Sequence, residues 1–243
     1  MGAAEVVLVA VAVLASAAIQ STSGFGFALL GVPLLSMVVS TEEAVVVVTA
    51  LSLVTSTGQA IGHRAHADRP VVGRMLAGAV VGAPIGLAVL TIATGRQLKF
   101  GLAVVIFVFL GLTLRGVAFH RAGRAVDVGA GVVAGVLNTS LSTTGPPIVM
   151  TLHARHLPPE RFRATVAAVF SGSNVIAVGL FALTGRYDRD ALVLVAASLP
   201  ALAVGYAIGV RLRRHLDLAS FRRLVLGLLA VTGVVTLVGA LIA

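Results

Sequence analysis

Ser21-Thr22-Ser23-Gly24-Phe25-Gly26-Phe27-Ala28-Leu29-Leu30-Gly31-Val32-Pro33 lies inside apolar surroundings, and Asn138-Thr139-Ser140-Leu141-Ser142-Thr143-Thr144-Gly145-Pro146-Pro147 echoes it in the second half of the chain. Both stretches place glycine, proline and small polar residues where an uninterrupted membrane helix would carry straight-chain apolar ones. A backbone break is expected at each. At membrane depth a break frees N–H and C=O groups that are tolerated only where they are buried in protein or line a polar cavity, so both stretches are binding-site candidates.

The surroundings support that depth. Of the 243 residues, 58% are hydrophobic and 11% charged, with mean hydropathy +1.06, which excludes an ordinary soluble domain. Apolar runs of about 20 residues recur between charge clusters, each long enough to cross roughly 30 Å of hydrocarbon as a helix. A transmembrane barrel would instead show short strands of alternating polarity. The sequence therefore predicts an all-α multi-pass membrane protein. Cysteine is absent, which removes disulfides, thiolate catalysis and sulfur metal ligands. Without Trp and with two Tyr, arginine must do most of the interfacial anchoring. The opening Met1-Gly2-Ala3-Ala4-Glu5 lacks the basic start of a cleavable signal, so the first apolar run is expected to stay as a helix. The net charge of +9 reads as cytoplasmic loops, not as nucleic-acid binding.

Helices are predicted over 5–21, 25–39, 44–62, 71–94 and 97–117, and again over 126–140, 145–154, 161–184, 190–210 and 219–242. The second of each set is short: 145–154 would span only about 15 Å. Features recur in the same order in both halves. Gly31-Val32-Pro33 matches Gly145-Pro146-Pro147, Thr49 matches Thr165, the cluster at 55–59 falls near that at 171–174, and Gly82 and Gly86 correspond to Gly205 and Gly209. Residues 1–118 are read as a first membrane repeat, 119–126 as a cytoplasmic linker and 127–243 as a second repeat.

Basic residues set the orientation of the halves. If each half makes an odd net number of crossings, the clusters at 64–74, 115–124, 155–163 and 211–223 share one face and hold 14 of the 18 Lys and Arg residues, against Arg96, Lys99, Arg186 and Arg189 on the other. An even number would divide them 10 to 8. The lopsided division favours two inverted five-segment repeats, with broken or re-entrant helices at the repeat interface and the basic face in the cytoplasm.

Helix starts inside the membrane present free N–H groups and the positive end of the macrodipole, which suits an anion. Gly24, Gly26 and Gly145 would let backbone approach a ligand, with Phe25 and Pro146 framing the two turns. Ser21, Thr22, Ser23, Asn138, Thr139, Ser142 and Thr143 could donate hydrogen bonds, and Gln59 and Asn174 add amides from the following helices. The competing reading is close helix packing through small residues. Glu42 and Glu43 begin a helix, where carboxylates favour the positive end, and His153 could face a vestibule. No metal-spaced or triad-like set lies at one depth, so no enzyme and no cofactor are predicted.

The Gly24-Phe25-Gly26-Phe27-Ala28 segment leading to Pro33, together with Gly145-Pro146-Pro147-Ile148-Val149, resembles the paired signatures of the TauE/SafE family, whose members are sulfite exporters and organosulfonate permeases. The resemblance covers nearly the whole chain. It implies multi-pass transport of a small sulfur-containing anion, such as sulfite, thiosulfate or an organosulfonate, across the bacterial cytoplasmic membrane. Relatives are glycine-rich ahead of the second proline motif, where this chain reads Ser142-Thr143-Thr144. The alternatives are a cation or other small-solute transporter of the same inverted plan and a non-transporting scaffold; the expected partners are the solute and the bilayer, and nothing in the sequence sets an oligomeric state.

The charge division makes a direct prediction. Single cysteines placed at Ala67 and Gly123 will be shielded from an impermeant thiol reagent in intact cells, while one at Thr41 will label; the reverse pattern would overturn the orientation.

Overall fold

The computed structural model describes residues 3–23, 26–115, 123–212 and 218–242. Ten α-helices follow one another: α1 (Ala3–Ser23), α2 (Phe27–Leu35), α3 (Thr41–His63), α4 (Arg69–Ile92), α5 (Gly95–Leu114), α6 (Arg124–Leu141), α7 (Gly145–His153), α8 (Pro159–Leu183), α9 (Arg189–Leu212) and α10 (Leu218–Ile242), with a single 3-10 turn at Arg64–His66. Among the described residues there is no strand. Among the described residues, five helices, α3, α4, α5, α8 and α9, are long and apolar enough to cross a membrane, and apolar stretches also lie at Val7–Thr22 in α1 and Ala230–Leu241 in α10.

Local chemistry accounts for the boundaries. The Ser40 hydroxyl accepts the Glu43 N–H at 3.1 Å at the start of α3, whose first turn also holds Glu42; this is an N-cap with acidic residues at the positive helix end. Asp68 accepts from the Val71 N–H at 3.3 Å to start α4, and prolines stand in the first turns of α4, α7 and α8, where their missing N–H costs nothing. Two left-handed residues make the breaks anticipated in the opening stretches: Gly26 at φ +99° before α2 and Ser142 at φ +56° after α6. At the second break the Ser142 N–H bonds the Asn138 carbonyl at 2.8 Å, the bond of an αL close, and the Thr143 N–H bonds the Leu137 carbonyl at 3.1 Å. Helices α2 and α7 have nine residues each, about 14 Å and so roughly half a hydrocarbon crossing.

Small residues hold the long helices together. A Cβ on Gly78, Gly82 or Gly86 of α4 would run into the Val128, Val132 or Val136 carbonyl of α6, and one on Gly205 or Gly209 of α9 into the Leu14 or Ala18 carbonyl of α1. Backbones this close are possible only without a side chain. Both contacts advance in step, so α4 runs parallel to α6 and α9 parallel to α1. In contrast α3 and α8 are antiparallel: Tyr187 reaches the Val46 carbonyl, Thr57 meets Ser171 at 2.9 Å, and the Asp68 N–H bonds the Thr165 hydroxyl at 3.0 Å. Helices α5 and α10 are antiparallel too, since Arg96 donates to the Ala240 carbonyl at 2.9 Å.

The helix order was anticipated, but one match between halves needs correction. Gly31 and Pro33 lie in the middle and last turn of α2, whereas Gly145, Pro146 and Pro147 open α7. The residue at the start of α2 that corresponds to Gly145 is Phe27. The shared Gly-x-Pro and Gly-Pro-Pro lettering put the two segments four positions out of step.

Gly82→Val will lower the melting temperature in detergent, with a loss of about 3 kcal/mol from overpacking against Val132. Gly73→Ala on the same helix, where a Cβ meets nothing within 4 Å, will be neutral or stabilising by up to about 1 kcal/mol. Equal melting shifts would show that the α4–α6 contact is looser than described.

Candidate functional site

The ends of two helical hairpins meet inside the bundle. The α1 end reaches α3 where the Thr55 hydroxyl donates to Gln20 Oε1 at 2.6 Å, and the α6 end reaches the same helix where Thr49 bonds the Ser142 hydroxyl at 2.9 Å. Helix α7 then returns toward the start of α6: Arg155, two residues past α7, grips both oxygens of Asp127 in the first turn of α6 at 2.7 Å, and Arg74 of α4 donates to the same carboxylate at 2.8 Å. Asp127 is completely buried, while Arg74 and Arg155 keep 27% and 18% of their side-chain exposure. This ion cluster ties one end of the α6–α7 hairpin to α4.

Between the hairpin ends, α3 and α8 flank a cavity of about 30 Å³ lined by Gln20, Gly26, Phe27, Ala28, Leu29, Ser52, Ser142, Thr143, Thr144, Gly145, Phe170 and Asn174. The lining is paired: Gly26 with Thr144, Phe27 with Gly145 and Ser52 with Phe170 all stand 118 positions apart. The same spacing relates Gln20, bonded to Thr55, to Asn138, which donates to Ser173 at 3.1 Å. None of the twelve lining residues is ionisable. Gly26, Phe27, Ala28 and Leu29 are the residues whose N–H groups open α2, and the first four N–H groups of a helix have no partner within it. The start of α7 offers fewer, because Pro146 and Pro147 have no N–H.

Of the residues singled out in the sequence, Gly26, Ser142, Thr143, Gly145 and Asn174 line the cavity. Thr143 does so with its hydroxyl already donated to the Leu141 carbonyl at 3.0 Å. Ser21 and Thr22 donate to the Ala18 carbonyl, and Thr22 also meets the Gly209 carbonyl at 3.1 Å. Thr139 donates to the Ala83 and Gly135 carbonyls at 2.7 and 3.0 Å. These three sit in the α1–α9 and α4–α6 contacts. Asn138 is buried beside Ser173 with its Oδ1 unpartnered, and Gln59 lies farther along α3 with its Nε2 buried and unpartnered. Pro146 is buried at the start of α7. Gly24, Phe25 and the Ser23 side chain fall outside the described residues. His153 is exposed and packs its ring on Phe162, centroids 5.0 Å apart.

Sequence reasoning missed Gln20, Ser52 and Phe170, and gave no role to Phe27, Ala28, Leu29 and Thr144 within the two opening stretches. Gln20 carried a usable signal, since it is the one amide in an otherwise apolar first helix and a polar side chain at membrane depth marks a site by default. Ser52 and Phe170 carried none. Asp127 was also missed, as it stands beside a basic linker where a carboxylate attracts no notice. Among the described residues no group of three or more His, Asp or Glu side chains could hold a metal ion.

Fold and cavity together are those of a multi-pass membrane transporter. The model of the sulfite exporter TauE/SafE family matches residues 8–236, and the chain belongs to that family. It is 25% identical over 218 residues to the protein of Cupriavidus necator named probable sulfite/organosulfonate exporter TauE, covering 86% of this chain and 85% of that one. It is 34% identical over 168 residues to a Comamonas testosteroni protein named probable inner membrane transporter protein TsaS, covering 67% of this chain and 69% of that one. No solved structure matches the chain.

Asp127→Asn will leave two arginines facing a neutral partner in a buried position, a change that costs about 3 kcal/mol, at the low end for a broken buried ion pair because both guanidinium groups keep some water. Thermal unfolding in detergent will report it. An unchanged melting temperature would mean the cluster is solvated and does not hold the hairpin.

Proposed function

We propose that the protein carries a small sulfur-containing oxyanion, sulfite, thiosulfate or an organosulfonate, across the bacterial cytoplasmic membrane, and that the cavity between the two hairpin ends is where the anion sits. The observation that carries the reading is a half-open, uncharged cavity walled by the whole first turn of α2 and by the start of α7. A helix start carries about half a positive charge, so two of them offset about one negative charge without a buried lysine or arginine. The absence of acidic lining argues against a cation as the solute. The names of the two relatives point to the same solute class and to the inner membrane.

The two halves, 1–118 and 127–243 about a linker at 119–126, are read as an inverted repeat. Three features support this: the antiparallel run of α3 and α8, the parallel α4–α6 and α9–α1 pairs that exchange first and fourth helices between halves, and the constant spacing of 118 across the cavity. In this reading α1–α2 and α6–α7 are re-entrant hairpins that enter from opposite faces. Exposure of the cavity then alternates as one hairpin or the other opens, and both termini lie outside the cytoplasm, with the basic clusters inside.

Flux through proteoliposomes tests the solute class. A sulfonate will be carried and its uncharged sulfonamide counterpart will not, because loss of the charge forfeits charge-assisted hydrogen bonds of about 1.5 to 3 kcal/mol, roughly 10- to 150-fold in affinity. Gly145→Val, which fills the approach to the α7 start, will abolish sulfonate flux while the protein still folds. Equal flux of sulfonate and sulfonamide would overturn the anion reading.

A further inference from the structure

Two carboxamides line the cavity, and their hydrogen bonds fix them in opposite senses. Gln20 is 3% exposed and Asn174 is 4% exposed, so neither amide is free to turn in solvent. The Thr55 hydroxyl lies 2.6 Å from the Gln20 side chain, a length typical of O–H···O and short for N–H···O. The Ser52 and Leu51 carbonyls lie farther from the same hydroxyl, at 3.1 and 3.5 Å, so the short contact takes the proton: Thr55 donates, Oε1 accepts, and Nε2 is left with both protons. Among the described residues Nε2 has no partner, and Gln20 lines the cavity.

At Asn174 the logic reverses. Ser56 spends its one proton on the Ser52 carbonyl at 2.7 Å, so the Ser56 oxygen can only accept from Asn174, at 3.3 Å. That places Nδ2 against Ser56 and turns Oδ1 away from it. Oδ1 has no partner among the described residues, is not sealed from accessible space as Asn138 Oδ1 is, and belongs to a lining residue.

The cavity thus has a donor pole and an acceptor pole. The donor pole is Gln20 Nε2 with the opening N–H groups of α2; the acceptor pole is Asn174 Oδ1 on α8. An anion that offers only oxygens satisfies the first and leaves the second as a desolvated, unpaired acceptor, which is the costly condition. We infer that the site selects a monoanionic oxyanion that also bears its own N–H or O–H group, with its oxygens on the Gln20 and α2 side and its donor on Asn174 Oδ1. The inference rests on the oxyanion reading of the cavity and adds a polarity that the reading alone does not require. Asn174 would act as a specificity-determining residue, and Gln20 as an affinity-determining one.

Sulfamate and methanesulfonate separate these ideas, being monoanions of nearly equal size in which an NH2 group replaces a methyl. Calorimetry on the purified full-length protein in detergent will show sulfamate binding about five-fold more tightly, the worth of one neutral hydrogen bond. Asn174→Leu will bring the ratio to one, whereas Gln20→Leu will weaken both ligands together and leave the ratio near about five. The wild-type ratio decides even if a variant fails to fold. Equal binding of the two anions by the wild-type protein would overturn the inference and leave the oxyanion reading standing. No binding of either would overturn both.

Discussion

A polypeptide inside hydrocarbon must hydrogen-bond every backbone N–H and C=O to protein, because no water is available to do so. Among the described residues ten helices satisfy that demand nearly everywhere, and the interest lies in the two places where they stop short. At Gly26 and at Ser142 the backbone enters the left-handed region and a new helix of only nine residues begins. Neither break faces outward. Each is turned toward the other across α3 and α8, and the polar groups that the breaks release become the wall of one shared cavity.

Bringing the breaks together requires the outer helices to approach closely, which explains where the glycines go. Gly78, Gly82 and Gly86 let α4 lie against the α6 backbone, and Gly205 and Gly209 let α9 lie against α1. Each hairpin is thereby clasped by a helix from the opposite half. A hairpin and its clasp share parallel orientation and a continuous strip of backbone contact, so they form a natural rigid unit. The α3–α8 pair, joined by Thr57 with Ser171 and Asn174 with Ser56, forms the surface on which both units rest.

Much of this could be read from the chain. Apolar runs near 20 residues reveal helices because membrane thickness imposes that length, and Pro146-Pro147 reveals a helix start because proline cannot continue one. The side-chain roles were harder to read. Ser21, Thr22, Thr139 and Thr143 were expected as solute donors, yet each gives its proton to a nearby carbonyl, the usual outlet for a hydroxyl in or beside a helix. Sequence shows that a hydroxyl is present and not which acceptor lies closest. Phe170 and Ser52 reach the cavity only because two antiparallel helices cross there, a tertiary fact with no local signature. The offset between halves went wrong at Gly31 for a related reason: shared letters were matched in place of shared positions within a helix.

The Asp127 cluster has no twin. At the spacing of 118 the positions matching Asp127 and Arg155 are Val9, buried, and Met37, exposed, so the charge cluster that fastens the α6–α7 hairpin is not repeated at those two positions of the α1–α2 hairpin. In any molecule built from two interchangeable halves, identical fastenings would make the two ways of opening isoenergetic, and idle copies would divide evenly between them. Under the proposed reading, unequal fastenings would tilt that balance before any solute arrives. The tilt would also respond differently to the surroundings on its two sides, since a charge cluster with partly wetted arginines feels ionic strength while an apolar seal feels temperature through its hydration. Under the alternating-access reading proposed above, a directional preference would then reside in the resting molecule, in the three charged residues that fasten one of the two hairpins.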